Sequence, residues 1–202
     1  MDVLSWCERY AEGIRETWAK VSRPDMVRVV EAIVAAYRGG RKVITMGNGG
    51  MAATASHAVA DLVKHPFVSA AKDTVSVAGP RLQAICLTDN PGTLTSWAND
   101  VKFEDVFCEQ LETWAGEGDV VIAFTTSGNS ENLLRAFATA RRRGAVTVAV
   151  TGARGGKIAA LADVLLRVPS DDGSFIEDVQ MGLSHIWCTW LKATLQEGAG
   201  GR

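Results

Sequence analysis

Apolar residues recur every three or four positions through the first part of the chain, which predicts two amphipathic helices. Tyr10, Ile14 and Trp18 mark the apolar face of the first helix, and a similar spacing continues into the second. We expect residues 1–40 to form a helical appendage and residues 41–197 to form the main domain. The aromatic face of the appendage is large enough to pack either onto that domain or onto a second subunit.

Five short apolar runs follow the appendage and predict buried strands, four of them rich in β-branched residues. These runs lie at 43–46, 82–87, 120–124, 146–150 and 164–168. Amphipathic stretches predict helices near 51–63, 91–115, 131–143, 155–162 and 176–196. Strands that alternate with helices in this way predict a doubly wound α/β fold, with a five-stranded parallel sheet flanked by helices. The irregular stretch 64–81 fits either a flap over a site or a plain connection.

The composition excludes several classes of function. The chain has 202 residues, of which 47% are apolar and 22% are charged, and its formal net charge is −2. This balance gives no electrostatic pull toward nucleic acid or an anionic membrane. No apolar run approaches the roughly 18 to 20 residues that cross a bilayer, and the acidic N-terminus is unlike a signal peptide. We therefore expect a cytoplasmic protein whose four widely spaced cysteines are free thiols.

The loop after the first predicted strand is rich in glycine. Asn48, Gly49 and Gly50 lie between this strand and the next helix. Ligands of parallel sheets bind beyond the carboxyl ends of the strands, and the first amides of a helix favour an anion. A tight strand-to-helix turn would have the same sequence, so this loop alone is weak evidence for a binding site.

The loop after the third strand is crowded with hydroxyl groups. Thr125, Thr126, Ser127, Asn129 and Ser130 precede the next helix, although a single Ser or Asn is enough to cap one. Several neutral O–H and N–H donors beside a helix N-terminus suit a phosphate group. The sequence therefore predicts a phosphate site that faces the same crevice as the first loop.

Two histidines and a carboxylate could supply acid–base chemistry. His57 and Asp61 are one turn apart on the helix after the first loop, so they share a helix face. His185 lies on the last helix, eight residues after Glu177. Each histidine alone is more simply explained as a structural residue. A carboxylate and an imidazole beside a phosphate cradle, however, are what proton transfer next to a carbonyl requires.

These motifs resemble, in chain order, those of the sugar isomerase (SIS) domain family, and most closely those of its phosphoheptose isomerase branch. The resemblance extends from about residue 25 to residue 195, through segments 47–50, 55–57, 61–62, 98–100, 126–130, 151–152, 155–156, 168–170 and 184–185. It implies a flavodoxin-like three-layer sandwich with two N-terminal helices. It also implies a homotetramer with active sites at the subunit interfaces.

The resemblance assigns the phosphate to Thr126, Ser127 and Ser130, with Asn48 and Asn129 nearby. The amides around Asn48 complete the predicted phosphate site.

The resemblance further implies that Asp61 is the catalytic base and that His185 is the catalytic histidine. Asn99 and Asp100 match a pair that lines the sugar site, and Asp172 matches a second carboxylate there.

A zinc ion is held in some members of the family, and the matching set here is His57, Asp61, Glu177 and His185. The separation of Glu177 and His185 corresponds to about 12 Å of helical rise. One ion can therefore bind both only if Glu177 precedes the regular helix or comes from another subunit.

The chain departs from the family pattern at several positions. Asp61 replaces a glutamate and Glu177 a glutamine, and the usual serine, arginine and histidine are replaced by Met51, Phe175 and Gln180. A shorter carboxylate moves its oxygens by over an ångström, which can cost on the order of a hundredfold in rate if nothing else adjusts.

The function expected from these features is aldose–ketose isomerisation of a phosphorylated sugar through an enediol, with sedoheptulose 7-phosphate and D-glycero-D-manno-heptose 7-phosphate as the expected pair. SIS domains also serve as phosphosugar sensors, and one relative is an adaptor that binds the bacterial replication initiator. A carboxylate at Asp61 and an imidazole at His185 favour the enzyme over both alternatives.

Overall fold

The computed structural model describes residues 2–69, 71–77 and 79–199, with residues 197–199 described by their backbone alone. Within these ranges the chain forms seven α-helices and one five-stranded sheet. The helices are α1 (Val3–Lys20), α2 (Arg23–Arg38), α3 (Gly50–Lys64), α4 (Pro91–Asp100), α5 (Cys108–Trp114), α6 (Glu131–Arg142) and α7 (Gly173–Ala199). The strands are β1 (Lys42–Gly47), β2 (Gln83–Cys86), β3 (Val120–Phe124), β4 (Val146–Thr151) and β5 (Val164–Arg167). None of the helices in these ranges is both long and apolar enough to span a bilayer.

The sheet confirms the predicted doubly wound α/β fold. Its strand order is β2-β1-β3-β4-β5, and every pairing is parallel. The chain leaves β1 toward β2 on one side and returns to β3 on the other, so the order reverses between β1 and β3. In open α/β sheets the ligand crevice lies at this reversal, beyond the carboxyl ends of the strands. The two loops selected from the sequence both lie there.

Each face of the sheet is covered by its own apolar core. On one face, Val43, Ile122 and Val150 pack against the buried face of helices α2, α3 and α7. On the other face, Ile44 and Ala123 pack against α5 and α6. Because helices cover both faces of the sheet, the strand sequences are continuous apolar runs. The same packing places α3 and α7 side by side.

Two predicted helices differ from the structure. The stretch 91–115 contains α4 and α5, with a short 3-10 turn at Phe103–Asp105 between them. The backbone leaves the helical conformation at Val101, and Asp105 then pairs with Arg135 of α6. The stretch 155–162 contains only a 3-10 helix at Lys157–Leu161, because the two glycines before it adopt positive φ angles that an α-helix cannot include.

The N-terminal appendage packs onto the domain of its own chain. The Tyr10 hydroxyl donates to Asp178 Oδ2 at 2.7 Å, and its ring meets Phe175 edge-on at 5.0 Å. Trp18 fills the space beside Gly182 of α7, where a Cβ atom would collide with the indole ring. Helix α1 therefore supports the long helix that carries His185.

The irregular stretch begins as a packed connection. A 3-10 turn at His65–Phe67 follows α3. The centroid of the buried Phe67 ring is 6.2 Å from that of Tyr37 and 4.6 Å from the Arg81 guanidinium. An antiparallel bridge joins Val68 and Val75.

The cysteine prediction is confirmed: Cys7, Cys86, Cys108 and Cys188 are all free thiols.

Candidate active site at the carboxyl edge of the sheet

A reciprocal amide pair joins the first loop to the start of α6. Asn48 Nδ2 donates to Asn132 Oδ1 at 3.0 Å, and Asn132 Nδ2 donates to Asn48 Oδ1 at 2.9 Å. Asn132 is buried, so this pair satisfies polar groups that water does not reach. The pair fixes the position of the Asn48 backbone relative to the hydroxyl-rich loop.

The hydroxyl-rich loop, residues 125–130, divides into an internal and an exposed part. Thr125 is buried, and its Oγ1 accepts a hydrogen bond from the Gly128 amide at 3.1 Å, so this hydroxyl shapes the loop. Ser127 and Asn129 are exposed, and Thr126 and Ser130 are half-buried. The Ser130 side chain makes no capping bond to α6, although Ser130 occupies the N-cap position. Its hydroxyl is therefore available to a ligand.

The exposed part of this loop borders a polar cavity of about 230 Å³. Its walls come from the loops after β3, β4 and β5 and from the start of α7, with residues Thr126, Ser127, Asn129, Ala153, Arg154, Asp171, Gly173 and Ile176. Arg154 Nε donates to Asp171 Oδ1 at 3.0 Å in this wall. Neither charged residue was identified from the sequence, because only the fold brings these two loops together.

A second group of polar side chains lies between α3 and α7. His57 Nε2 and His185 Nε2 are 2.9 Å apart, and Asp61 Oδ2 lies 3.3 Å from the first and 3.8 Å from the second. The side chains of His57, Asp61 and His185 are 42%, 30% and 52% exposed, so a ligand can reach them. The structure thus brings together the carboxylate and both imidazoles that the sequence singled out.

These three residues could hold a metal ion. Their ligand atoms all lie within 4.8 Å of one another. A tetrahedral zinc ion with ligands at about 2.0–2.1 Å separates its ligand atoms by roughly 3.3–3.4 Å. That separation falls within the 2.9–3.8 Å span observed here. Three protein ligands leave the fourth position open, which is the arrangement of catalytic rather than structural zinc sites.

A buried thiol adjoins this group of ligands. Cys188 Sγ lies 3.8 Å from Asp61 Oδ2. Burial, assisted by the Asp61 charge, raises the pKa of the Cys188 thiol to about 12. Near neutral pH Cys188 is therefore a protonated neighbour of the carboxylate and not a nucleophile.

Glu177 does not join the group of possible metal ligands. It belongs to the regular part of α7, and its carboxylate lies against Gly50, where a Cβ atom would collide with it. A negative charge at this position is favourable because it faces the N-terminal turn of α3. The helical separation from His185 keeps Glu177 away from any ion held by the other three residues.

Three further residues selected from the sequence make only local hydrogen bonds. Asn99 and Asp100 are exposed at the end of α4, where Asn99 Nδ2 donates to Asp100 Oδ1 at 2.8 Å. Asp172 Oδ1 accepts a hydrogen bond from the Ser174 amide at 2.9 Å and so caps α7. No hydrogen bond among the described residues links these three side chains to the cluster around Asp61.

Gln180, which the sequence marked only as a departure from the family pattern, is a supporting residue in the structure. It is fully buried, and its Nε2 donates to the carbonyl oxygens of Thr125 and Val150 at 3.1 and 3.0 Å. Helix α7 therefore holds the ends of β3 and β4 in place while it also carries His185. Because α7 both holds the ends of β3 and β4 and carries His185, its helical rise sets the distance between the hydroxyl-rich loop and His185.

A doubly wound parallel sheet with a hydroxyl-rich loop at its switch point defines the class to which the chain belongs. A model of the family described as SIS domain matches residues 9–152, so the chain is a member of the SIS domain family.

Similar proteins narrow this assignment. The chain is 38% identical over 172 residues to the phosphoheptose isomerase of Bradyrhizobium sp. (strain ORS 278), an alignment that covers 85% of this chain and 82% of that protein. The solved phosphoheptose isomerase of Francisella tularensis has a TM-score of 0.85 and 28% identity, over 96% of this chain and 100% of that one. The phosphoheptose isomerase of Neisseria gonorrhoeae has a TM-score of 0.80 and 30% identity, over 93% and 99% of the two chains. Within the SIS domain proteins, the chain belongs to the phosphoheptose isomerase family of enzymes.

Proposed function

We propose that the chain is an aldose–ketose isomerase that interconverts sedoheptulose 7-phosphate and D-glycero-D-manno-heptose 7-phosphate. The observation that carries this proposal is that Asp61 Oδ2 lies 3.8 Å from His185 Nε2. His185 belongs to α7, and the start of α7 also borders the hydroxyl-lined cavity. Membership of the phosphoheptose isomerase family supports the choice of sugar.

The phosphate is bound by the loop after β3. Thr126, Ser127 and Ser130 supply hydroxyl donors, and Asn129 supplies an amide, at the N-terminal end of α6. These neutral donors act together with the partial positive charge of the helix end. Backbone amides near Asn48 and Gly49 close the other side of the crevice.

The length of α7 suits a long open-chain sugar. Ile176 borders the polar cavity beside the hydroxyl-rich loop, and His185 follows it nine residues later in the same helix. This separation corresponds to about 13 Å of helical rise. A separation of this size favours an extended heptose phosphate over a short sugar phosphate.

Proton transfer is assigned to Asp61 and His185. Asp61 Oδ2 removes the proton from the carbon next to the carbonyl, the electron pair of that C–H bond forms the C=C bond of an enediol, and the π pair of the C=O bond moves to the carbonyl oxygen, which His185 protonates. His185 Nε2 moves the hydroxyl proton from one sugar oxygen to the other. Asp61 then returns its proton to the neighbouring carbon. Atoms and charges balance, and no co-reactant is consumed.

We further propose that His57, Asp61 and His185 can hold a zinc ion. Bound there, zinc would act as a Lewis acid that polarises the sugar oxygens. Glu177 adds to this set only if it is supplied by another subunit, because its own chain holds it at Gly50.

A homotetramer and a cytoplasmic location are also part of the proposal. Exposed apolar side chains lie between α2 and α7, among them Val27 and Trp190, and a second copy of the chain would cover them. The four free thiols are typical of a reducing compartment. The division into an appendage at 1–40 and a SIS domain at 41–197 remains a prediction.

The enzyme assay is direct. Purified protein is incubated with sedoheptulose 7-phosphate, and formation of the aldose is followed. We expect turnover by the unaltered chain and a loss of at least about a hundredfold in Asp61→Asn and His185→Gln. Absence of turnover with any C5 to C7 sugar phosphate would exclude the isomerase. Thermal stabilisation by these sugars without turnover would instead identify a phosphosugar sensor.

A further inference from the structure

The polar cavity beside the hydroxyl-rich loop contains two charged side chains that the proposed mechanism does not use. Among the described residues that line it, Arg154 is the only one with a positive charge, and Asp171 is the only one with a negative charge. The remaining polar donors from the loop are neutral. These neutral donors form charge-assisted hydrogen bonds to a phosphate dianion, and a guanidinium adds a full positive charge that strengthens the preference for the dianion over a hydroxyl group.

The backbone holds Arg154 in a fixed position beside the loop. The Gly152 amide donates to the Thr126 carbonyl at 3.1 Å, and the Ala153 amide donates to the Ser170 carbonyl at 3.1 Å. The loop after β4 is therefore bonded to the loops on both sides of it. Arg154 follows directly, so its Cα atom cannot move away from the cavity.

The side chain of Arg154, in contrast, is exposed and can change its partner. It is 85% exposed, and the side chain of its partner Asp171 is 69% exposed. Exposed pairs of this kind contribute little to stability, so this one can exchange its carboxylate for a better anion. Within the described part of the chain, Arg154 makes its hydrogen bond through Nε, which leaves Nη1 and Nη2 to bind a second group. A planar guanidinium can engage two phosphate oxygens at once.

We propose that Arg154 is a substrate-binding residue that makes the site specific for phosphorylated sugars, and that Asp171 holds it in place while the site is empty. This inference rests on the proposed function and adds a residue to it. When substrate enters, the phosphate dianion takes over the guanidinium, and the Asp171 carboxylate is left to the solvent. Asp171 thus competes with the phosphate, whereas Arg154 attracts it. The two side chains must therefore affect KM in opposite directions.

Steady-state kinetics with sedoheptulose 7-phosphate tests this opposition. We expect Arg154→Ala to raise KM by about 10- to 100-fold, which is the range for loss of hydrogen bonds to a charged group. We expect kcat to change by less than about threefold, because the reacting carbons are distant from the cavity. Arg154→Lys should recover part of the loss, since it restores the charge but not the planar fork. Asp171→Asn should lower KM.

A matched control is available on the surface of α1. Arg15 pairs with Glu12 in an exposed ion pair, and neither residue borders the cavity. Arg15→Ala removes the same charge from the protein and should leave both constants unchanged. An equal KM in Arg154→Ala and Arg15→Ala would overturn the inference, as would an increase in KM in Asp171→Asn.

Binding of inorganic phosphate separates this inference from the proposed function. Calorimetry should detect phosphate binding to the unaltered chain and a loss of about tenfold or more in Arg154→Ala. If the chain turned over no sugar but Arg154→Ala still weakened phosphate binding, the role of Arg154 would stand and the isomerase would not. If the chain turned over the sugar and Arg154→Ala bound phosphate with the affinity of the unaltered chain, the isomerase would stand and the role of Arg154 would not.

Discussion

His57 Nε2 and His185 Nε2 are 2.9 Å apart, although 128 positions separate the two residues in the sequence. Two imidazole nitrogens can come this close only if one donates a proton to the other or both face one cation. Two protonated rings at this distance would repel each other. With Asp61 Oδ2 at 3.3 and 3.8 Å, the cluster suits either shared protons or a divalent ion. The same three side chains can therefore serve either proton transfer or metal binding, since a nitrogen that holds an ion cannot carry the proton at the same time.

Zinc binding should depend on His57. We expect Zn²⁺ to raise the melting temperature of the unaltered chain, with a stabilisation of about 2.7 kcal/mol when free zinc exceeds its dissociation constant a hundredfold. His57→Gln should abolish this shift. His65→Gln is the matched control, because His65 lies on the 3-10 turn after α3 and outside the cluster. Differential scanning fluorimetry with and without a chelator measures the effect, and an unchanged zinc shift in His57→Gln would contradict the assigned site.

Gly128 should tolerate no side chain. Its φ angle is +66°, and a Cβ atom would collide with the Gly155 carbonyl oxygen, where the loops after β3 and β4 touch. Gly40 has a similar φ of +64° with open space around it. The left-handed conformation alone costs about 1–2 kcal/mol for a residue with a side chain, and overpacking adds about 1–3 kcal/mol.

We therefore expect urea unfolding to show a loss of roughly 2–5 kcal/mol for Gly128→Ala and of roughly 1–2 kcal/mol for Gly40→Ala. Activity should fall only in the first variant, since the collision displaces the phosphate loop. Equal losses of stability in the two variants would mean that the loops separate without cost.

The sequence was sufficient to predict the parallel sheet and the two loops at its edge, because burial on both faces leaves a continuous apolar pattern. It also predicted that His57 and Asp61 share a helix face, since that follows from the helical period. Their approach to His185 was implied by the family resemblance. It could not be obtained from local pattern, because it depends on how α3 packs against α7.

Other features depended on tertiary contacts and were missed. The pairing of Arg154 with Asp171 joins two loops that follow different strands. The position of Glu177 against Gly50 depends on the separation of two packed helices. In both cases the residue type is common on protein surfaces, so its presence in the sequence carries no information about its partner.

The amide pair of Asn48 and Asn132 should contribute to stability as one unit. Removing either side chain leaves a partly buried amide without its partner, at a cost of about 1–3 kcal/mol. We expect Asn48→Ala and Asn132→Ala each to show this loss in urea unfolding. The double variant should lose less than the sum of the two, because both substitutions remove the same interaction. Fully additive losses would show that the two amides act independently.

Acid unfolding should reflect the pair formed by Asp105 and Arg135. The hydrogen bond from Arg135 Nη1, at 2.8 Å, lowers the pKa of the Asp105 carboxyl below its ordinary value of 3.8. The unfolded chain therefore binds this proton at a higher pH than the folded chain does. The stability contributed by the pair is fully present above the unfolded pKa, and it is lost as the pH falls through the folded pKa.

We expect Asp105→Asn to be less stable than the unaltered chain at pH 7 and to approach it below about pH 4, because protonation removes the charge that the variant already lacks. Glu131→Gln is the matched control, since Glu131 contacts the same arginine but its side chain is 53% exposed, against 15% for Asp105. Solvent screens the more exposed pair, so the control should show a smaller pH-dependent difference. Urea midpoints at pH 7, 5, 4 and 3 provide the comparison. If the difference between Asp105→Asn and the unaltered chain stayed constant across this range, the pair would not be the source of acid sensitivity.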